Sequence, residues 1–325
     1  MPFFKNLFGA NHKLRAAARA GDVSAVQKWL AAGADINAGN VMGDTALIAA
    51  AEKGRVEVLR RLLEKGADVN ATNRLRQTAL LCAAAHDGTE TAAPVLIAAG
   101  ARLDDVDALN VTALLLAVHK RRAKMVSSLV AAGAALDATN KRGQTALMLA
   151  AFHGYTDIAV SLLAAGANAD KADKNGITAL MCATYKGHTD IVAQILQAGA
   201  NVDAVEKTGQ TVLMHAIFLG RKDIVTRLLA AGANVNVEDS MGQTALVFAA
   251  DKGYEDIARQ LVAAGAYVIG RHGQAARKAA MKKGYTAIAK IISPMYGEKF
   301  KAALVESGKT LGNTDGNNQK NLDDR

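Results

Sequence analysis

Cysteine, proline and aromatic residues are scarce in this sequence of 325 residues. There are two cysteines, three prolines and an aromatic fraction of 4%. So few rings argue against a large aromatic-lined pocket. Two cysteines give little material for disulfides, which is typical of a protein kept in a reducing compartment. We therefore expect a cytoplasmic protein.

Long apolar runs are also missing. No stretch approaches the roughly 18 consecutive apolar residues that a membrane-spanning helix requires, so we expect no membrane span. The N-terminal stretch MPFFKNLFGANHK is interrupted by Lys5 and Asn6. A signal peptide would need a continuous apolar segment there.

Motifs for catalysis and metal binding are absent as well. None of the seven histidines stands in an HExxH or in a Cys/His metal spacing, and there is no Gly-x-Ser-x-Gly. The many glycines recur at turn positions rather than in a phosphate-binding loop. We expect no catalytic residues, no metal and no cofactor, and hence not an enzyme.

What the sequence does contain is a strict repeat. Threonine followed by Ala-Leu or Val-Leu recurs in steps of 33, 34, 33, 33, 33 and 33 residues, at Thr45, Thr78, Thr112, Thr145, Thr178, Thr211 and Thr244. The glycine of an Ala-Gly-Ala motif recurs with the same step of 33, at Gly133, Gly166, Gly199, Gly232 and Gly265.

One copy, residues 140–170, shows what each repeat contains. Thr145 can cap a first helix with its hydroxyl, and Gly154 ends that helix. Asp157 begins a second helix, where its charge suits the N-terminal end of the helix dipole. Gly166 supplies the left-handed residue that ends it. The stretch up to the next threonine is a turn-rich finger.

A step of about 33 residues with two helices and a turn is typical of ankyrin repeats. The chain resembles the ankyrin-repeat family from about His12 to Ile292, with Thr-Ala-Leu in place of the family's Thr-Pro-Leu-His. The resemblance implies an all-α solenoid of about nine helix-turn-helix repeats with β-hairpin-like fingers and degenerate capping repeats at both ends. We assign residues 1–11 to an N-terminal extension, 12–293 to the array, and 294–325 to a helical turn followed by a disordered polar tail.

Several positions depart from the pattern. The step of 34 places an insertion around residues 84–87, and Pro94 predicts a late or kinked second helix. Arg121 stands where other copies have the left-handed glycine. The run His119-Lys120-Arg121-Arg122 is either a basic targeting or anion patch or a solvated turn, and we favour the turn. Trp29 aligns with Leu62, which predicts a core residue.

The two ends of the chain are less regular. Phe3, Phe4, Leu7 and Phe8 have helical spacing. They can cover the exposed end of the first helix pair, touch a membrane or partner, or belong to a disordered segment. In the last repeat, Thr244 is followed by Ala275 after 31 residues, so we expect a finger that is two residues shorter.

The cysteines, Cys82 and Cys182, occupy the same helix position three repeats apart. Packed helices lie about 8–10 Å apart, and a disulfide needs Cα atoms within about 7 Å. We therefore expect two buried structural thiols.

Positions that vary between similar repeats are the candidates for binding. The resemblance implies that they line a concave groove. Next to the mid-repeat glycine they carry His119, Phe152, His153, Tyr185, Lys186 and Phe218, and in the fingers they carry Arg74, Arg76, Lys141, Arg142, Lys174 and Lys207. Aromatic and Arg side chains are the types that anchor interfaces. The alternative is that Phe152, Tyr185 and Phe218 fold back onto neighbouring repeats as extra core.

The formal net charge of +9 favours acidic partners, although cations can also merely solvate a long surface. The sequence favours a monomeric scaffold that binds an acidic or mixed peptide or protein surface in its groove. The alternative is a basic surface for nucleic acid or membrane. Because rings interleave with cations in one groove, we favour a protein partner over nucleic acid.

Overall fold

The computed structural model describes residues 2–293, and side chains from Gly9 onward. Two compact units divide the chain at residues 201 and 202. The predictions for residues 294–325, and for the side chains of Phe3, Phe4, Leu7 and Phe8, lie outside the described residues.

The described part of the N-terminal unit, residues 2–201, is built from six pairs of helices. They are α1 Pro2–Ala20 and α2 Val23–Ala31, α3 Ala46–Glu52 and α4 Val56–Glu64, α5 Ala79–Ala85 and α6 Ala92–Ala98, α7 Ala113–His119 and α8 Ala123–Ala131, α9 Ala146–His153 and α10 Thr156–Ala164, and α11 Ala179–Lys186 and α12 Thr189–Gln197. Helix α1 continues without a break across residues 11 and 12, where the extension was predicted to meet the array.

The described part of the C-terminal unit, residues 202–293, contains three further pairs. They are α13 Val212–Phe218 and α14 Lys222–Ala230, α15 Ala245–Lys252 and α16 Glu255–Ala263, and α17 Gly270–Lys282 and α18 Thr286–Ile291. An isolated antiparallel bridge joins Val205 to Thr211. The described residues form no longer strand, so the predicted all-α repeat fold is confirmed.

Threonine starts the first helix of each regular repeat, as predicted. The hydroxyl of Thr145 accepts the backbone N–H of Met148 at 3.3 Å, and five other threonines do the same for their own helices: Thr45, Thr78, Thr112, Thr178 and Thr211. Such a cap satisfies a backbone donor that the helix itself cannot pair. Thr244 makes no side-chain cap bond.

The core of each unit is formed by the buried faces of these helices, which are rich in alanine and other apolar residues. In α9, Ala146, Leu147, Met148, Ala150 and Ala151 are all buried. First helices pack on the first helices of neighbouring repeats, as α9 does on α11 and α13 on α15. Alanine at the contact positions lets these helices approach closely. This burial leaves the seventh and eighth residues after each capping threonine exposed or only partly covered. The fourth residue is buried in some repeats, as at Ala49, Cys82 and Cys182, and partly covered in the others.

Asparagine and aspartate fix the fingers. The Oδ1 atom of Asn140 accepts backbone N–H groups from Arg142 at 2.9 Å and Gln144 at 3.1 Å. The same pair of bonds recurs at Asn40, Asn73, Asp107, Asp173 and Asp239. Each turn therefore has its donors satisfied by a single side chain, a local bond that these residue types make readily.

A second set of Asn and Asp residues joins one repeat to the next. Asp137 Oδ1 accepts the N–H of Asn168 at 3.0 Å, and Asp104 Oδ1 accepts that of Ala135 at 2.9 Å. Within the two units the same role falls to Asn11, Asn37, Asn70, Asp170, Asp203 and Asn236. This ladder went unrecognised in the sequence, although its members follow the repeat period.

Two predicted irregularities are confirmed. Helix α6 begins at Ala92 and has 7 residues, whereas α4 and α8 have 9, because Pro94 cannot supply the N–H that a longer helix would need. Arg121 adopts the left-handed conformation with φ 55°. Arg76 and Asn110 do so as well, with φ 59° and 62°, where other fingers have glycine.

Arg122 corrects the prediction of a solvated turn. His119, Lys120 and Arg121 are exposed, but the side chain of Arg122 is only 3% exposed. It pairs with Asp87, and its Nη1 atom lies 3.2 Å from Thr89 Oγ1 and 3.7 Å from Glu90 Oε1. The insertion of the preceding repeat lies beside these acceptors, so that irregularity and the buried arginine form one contact. Burying a charge is tolerated only when it is paired in this way.

The prediction of a core position for Trp29 was wrong, because its side chain is half buried, with Lys13 Nζ 4.6 Å and Lys28 Nζ 5.5 Å from its ring centroid. The finger of the last repeat is shorter, as predicted, but by more than two residues: only residues 264–269 separate α16 from α17, whereas residues 231–244 separate α14 from α15. The cause is the early start of α17 at Gly270. Gly273 permits this, since a Cβ atom there would lie 2.0 Å from the carbonyl oxygen of Val268.

Candidate functional site

The predicted site residues beside the mid-repeat glycines lie on one face of the first helices. Positions four, seven and eight after the capping threonine are spaced i, i+3 and i+4, so their side chains are neighbours. We call this set of positions the groove face. In α9 it carries Leu149, Phe152 and His153, and in α11 it carries Cys182, Tyr185 and Lys186.

The three predicted rings are not core residues. Phe152 is 38% exposed, Tyr185 55% and Phe218 51%. The alternative that they fold back as extra core is therefore excluded for the rings as a set. Half-exposed rings of this size present apolar area that a partner can bury.

One lysine joins two of these rings in the N-terminal unit. Lys186 Nζ lies 4.3 Å from the ring centroid of Phe152 and 5.7 Å from that of Tyr185. Both distances fall within the roughly 6 Å over which a ring attracts a cation. The ammonium group is thus held over a small aromatic platform. Among the described residues, it forms no ion pair with a carboxylate.

Histidines surround the same platform. The ring of His153 lies edge-on to Phe152 with centroids 5.3 Å apart, stacks on Tyr155 at 5.4 Å, and meets His119 at 5.8 Å. Burial, followed by the charges of His119, Lys186 and His188, lowers the pKa of His153. Its neutral ring at pH 7 offers one donor and one acceptor nitrogen.

The predicted finger cations of the N-terminal unit are all exposed: Arg74, Arg76, Lys141, Arg142 and Lys174. Successive fingers are linked by backbone bonds, such as Arg74 N–H to Met42 O at 2.8 Å and Lys174 N–H to Arg142 O at 3.2 Å. Between the third and fourth fingers the Nζ atom of Lys141 donates to Ala108 O at 2.9 Å. The structure thus brings these cations onto one line of neighbouring turns.

These cations differ from others in the same unit. Arg61 pairs with Glu64 at 3.0 Å and Arg102 with Asp105 at 3.1 Å. No finger cation of the N-terminal unit forms an ion pair with any residue in the described range 9–201. Their charge is therefore available to an external anion.

In the C-terminal unit, Phe218 and Lys207 are the predicted site residues. Lys252 Nζ lies 4.1 Å from the ring centroid of Phe218, which repeats the pairing of ring and lysine seen in the N-terminal unit. Lys207 is exposed at its finger. Asp251 stands at the ring position of the next repeat and lies 3.7 Å from Lys283 Nζ.

Exposed aliphatic residues at the finger tips were missed. They are Val41, Met42, Leu75 and Leu109 in the N-terminal unit and Met241 in the C-terminal unit. A signal was present in the sequence, because the same turn position carries Asn175 or Thr208 in other repeats.

A cavity of about 240 Å³ lies at the start of the N-terminal unit. Helix residues His12, Arg15 and Arg19 and finger residues Asn40 and Asp44 line it. At this end of the unit, helix α1 and the finger that carries Asn40 and Asp44 therefore line one surface. Arg19 is already paired with Glu52 at 2.7 Å, and Arg15 donates to Ala38 O at 3.0 Å.

The cysteines are free and buried, as predicted. Burial raises the pKa of both Cys82 and Cys182 to about 12, so neither thiol is a nucleophile near neutral pH. Within residues 9–293, no group of three or more His, Cys, Asp or Glu side chains is arranged to hold a metal ion. No helix of residues 2–293 has the length and apolar character needed to cross a membrane.

Comparison with known proteins agrees with this architecture. A family model described as ankyrin repeats in three copies matches residues 14–107, 83–173 and 157–239, and a single ankyrin-repeat model matches residues 241–271. Curated protein sequences contain no match.

Among solved structures, the ankyrin repeat domain of Bcl-3, described as a unique member of the IkappaB protein family, is similar with a TM-score of 0.60. The two sequences are 30% identical. The match covers 63% of this chain and 94% of that domain.

Proposed function

Because this chain belongs to the ankyrin-repeat family, we propose that it is a non-enzymatic scaffold that binds an acidic or mixed surface of another protein. Ankyrin repeats are general protein–protein interaction modules. The proposal adds where this chain binds and what the partner surface is made of. The partner contacts the groove face and the adjoining fingers.

The arrangement of Lys186 over Phe152 and Tyr185 carries the proposal. A partner carboxylate that meets this ammonium group gains a charge-assisted hydrogen bond, while apolar atoms beside it can cover the rings. Aromatic and cationic side chains that lie together are the residue types that dominate binding energies at interfaces. The line of unpaired finger cations extends the same preference along the N-terminal unit.

A peptide selection followed by substitution tests the proposal. Peptides enriched from a random display library on the full chain are titrated against the wild type, Lys186→Gln and Lys124→Gln. Lys124 is an exposed lysine on α8 without a ring contact to a described residue, which makes it the matched control. Losing one charged hydrogen bond, worth about 1.5–3 kcal/mol, predicts affinity about tenfold weaker or more for Lys186→Gln only.

Enrichment of peptides without acidic residues, or equal affinity of the selected peptides for both lysine variants, would contradict the proposal.

A second candidate function, a basic surface for nucleic acid or membrane, is favoured by the adjacent cations Arg142 and Lys174, which form no ion pair in the described range. For duplex DNA, log affinity would then fall steeply with log salt and would not depend on the rings.

We further propose a monomer located in the cytoplasm, with the array at residues 12–293 between an N-terminal extension and a C-terminal tail. Two free, buried thiols support the location, because reducing compartments keep cysteines unpaired.

A further inference from the structure

The finger tips of the N-terminal unit divide into two parts along the chain. The first three tips each carry a large aliphatic residue, and the next two carry none. The aliphatic part is Val41, Met42, Leu75 and Leu109, exposed by 78%, 48%, 48% and 64%. The cationic part is Lys141, Arg142 and Lys174. We call the two parts together the finger edge.

The fold does not require aliphatic residues at these tips. The same turn is built with Lys174 and Asn175 in one finger, and with Lys207 and Thr208 in another. In the first finger the Asp173 side chain holds the turn, and in the second the Glu206 side chain accepts the backbone N–H and the hydroxyl of Thr208. Side chains that are exposed and apolar without a structural need mark a binding surface when they are contiguous.

Contiguity follows from the bonds between fingers. Arg74 N–H donates to Met42 O at 2.8 Å, and Ala108 N–H donates to Leu75 O at 2.9 Å. These bonds place the three aliphatic tips side by side. The Nζ bond from Lys141 to Ala108 O then joins the aliphatic part to the cationic part.

Backbone strain points to the same edge. Arg76 adopts φ 59° at the finger position where Gly43 and Gly143 stand in other repeats. A non-glycine residue held in the left-handed region at an exposed turn is retained against a local cost, which is a reason to look for function there. Arg74 and Arg76 lie on either side of Leu75, so the aliphatic part also has a cationic border.

We infer that the finger edge docks an extended segment of a partner protein in which a block of apolar residues is followed or preceded by a block of acidic residues. The inference rests on the proposed function and names the partner's pattern. Neighbouring repeats are spaced by the roughly 8–10 Å of packed helices, so five tips span about 40 Å. An extended strand rises about 3.3 Å per residue, and the segment is therefore about 12 residues long.

Charge and apolar complementarity fix the register of this segment. Its apolar side chains, at alternate positions of one half, face Met42, Leu75 and Leu109. Its carboxylates in the other half face Arg142 and Lys174, which have no ion-pair partner in the described range. A uniformly acidic segment would leave the aliphatic tips in water.

Two synthetic 12-residue peptides test the pattern on the full chain. The block peptide has Leu at alternate positions in one half and Asp and Glu in the other, and the interleaved peptide has the same composition with the two types mixed. The protein variants are Met42→Ser/Leu75→Ser/Leu109→Ser and, as control, Met241→Ser. Met241 is an aliphatic finger-tip residue of the other unit, 78% exposed.

We expect the wild type to bind the block peptide at least tenfold more tightly than the interleaved one. The triple tip variant should lose at least tenfold in affinity for the block peptide, and Met241→Ser should stay within twofold. Thermal melting of each variant verifies its fold. Because all four substituted residues are exposed, the melting temperatures should agree within a few degrees.

Equal binding of the two peptides overturns the inference, as does a block peptide that fails to bind the wild type or that binds the triple variant unchanged. If the affinity of display-selected peptides still decreases in Lys186→Gln in that case, the proposed function is retained and only the inference about the finger edge is refuted. If their affinity changes neither in Lys186→Gln nor in the triple tip variant, the proposed function is refuted as well.

Discussion

Replacing Arg76 by glycine should leave the protein as stable as before or more stable, and should make it a weaker binder. Arg76 has φ 59°, at the position where Gly43 and Gly143 have φ 84° and 83°. The Cβ of an L-residue in this region costs roughly 1–2 kcal/mol. Glycine removes that cost, but it also has more conformational freedom in the unfolded chain, which lowers the stability of the folded state by about 0.5–1 kcal/mol.

The structure assigns Arg76 no side-chain bond among the described residues that would oppose this gain. Its backbone N–H donates to Asn73 O at 2.9 Å, and glycine keeps that bond. The net expectation is a change between zero and about 1.5 kcal/mol in favour of the folded state. For an array of this size such a gain raises the melting temperature by a few degrees at most.

Thermal melting and titration with the display-selected peptides together test this prediction. Arg76→Lys keeps both the charge and the strain, so it should resemble the wild type in both assays. The reverse change, Gly143→Arg, should destabilise by more than about 1 kcal/mol, because a Cβ there meets the backbone N of Lys174 at 2.9 Å. A drop of several degrees for Arg76→Gly, or unchanged peptide affinity, would refute the reasoning.

Three other predictions follow from single residues. Thr145→Ala should cost about 1 kcal/mol of stability, whereas Thr244→Ala should cost clearly less in the same urea titration, since only Thr145 caps its helix with its side chain; equal losses would contradict this. Iodoacetamide should label Cys82 and Cys182 at pH 7 only after unfolding, because burial raises the pKa of each thiol to about 12; rapid labelling of the folded protein would show that this is wrong. Burial lowers the pKa of His215, so the folded protein favours the neutral ring, and its free energy of unfolding should decrease as the pH falls below the unfolded-state pKa of about 6.5. In His215→Leu, which carries the residue found at the equivalent position Leu149, urea midpoints measured from about pH 7.5 to 5 should decrease less than in the wild type. An equal decrease in both proteins would refute this prediction.

The repeat architecture could be predicted because the signals that set it are local and periodic. Threonine caps, left-handed glycines and the late start of α6 at Pro94 depend on residues within one turn of each other. The strain at Arg121 was predictable for the same reason, since its neighbours in the repeat pattern are glycines.

The misses depend on specific contacts that the repeat pattern does not contain. Arg122 is buried because Asp87 and Thr89, more than 30 residues earlier, supply its partners. The length of α17 depends on the close approach of Gly273 to Val268. No periodicity shows such pairings.

The candidate site was predicted in part. Sequence variation singled out Phe152, Tyr185 and Phe218, but it could not decide between exposure and burial, because the seventh residue of a short helix lies at the edge of its buried face. The aliphatic finger tips were passed over, since an apolar residue in a turn can fold inward or outward.

The central claim is that the exposed rings serve a partner and not the fold. Its most direct measurement is the triple variant Phe152→Ala/Tyr185→Ala/Phe218→Ala, assayed for its melting temperature and for its affinity towards display-selected peptides. We expect a melting temperature within a few degrees of the wild type and a loss of affinity of tenfold or more. A fall of many degrees with affinity retained would contradict the account.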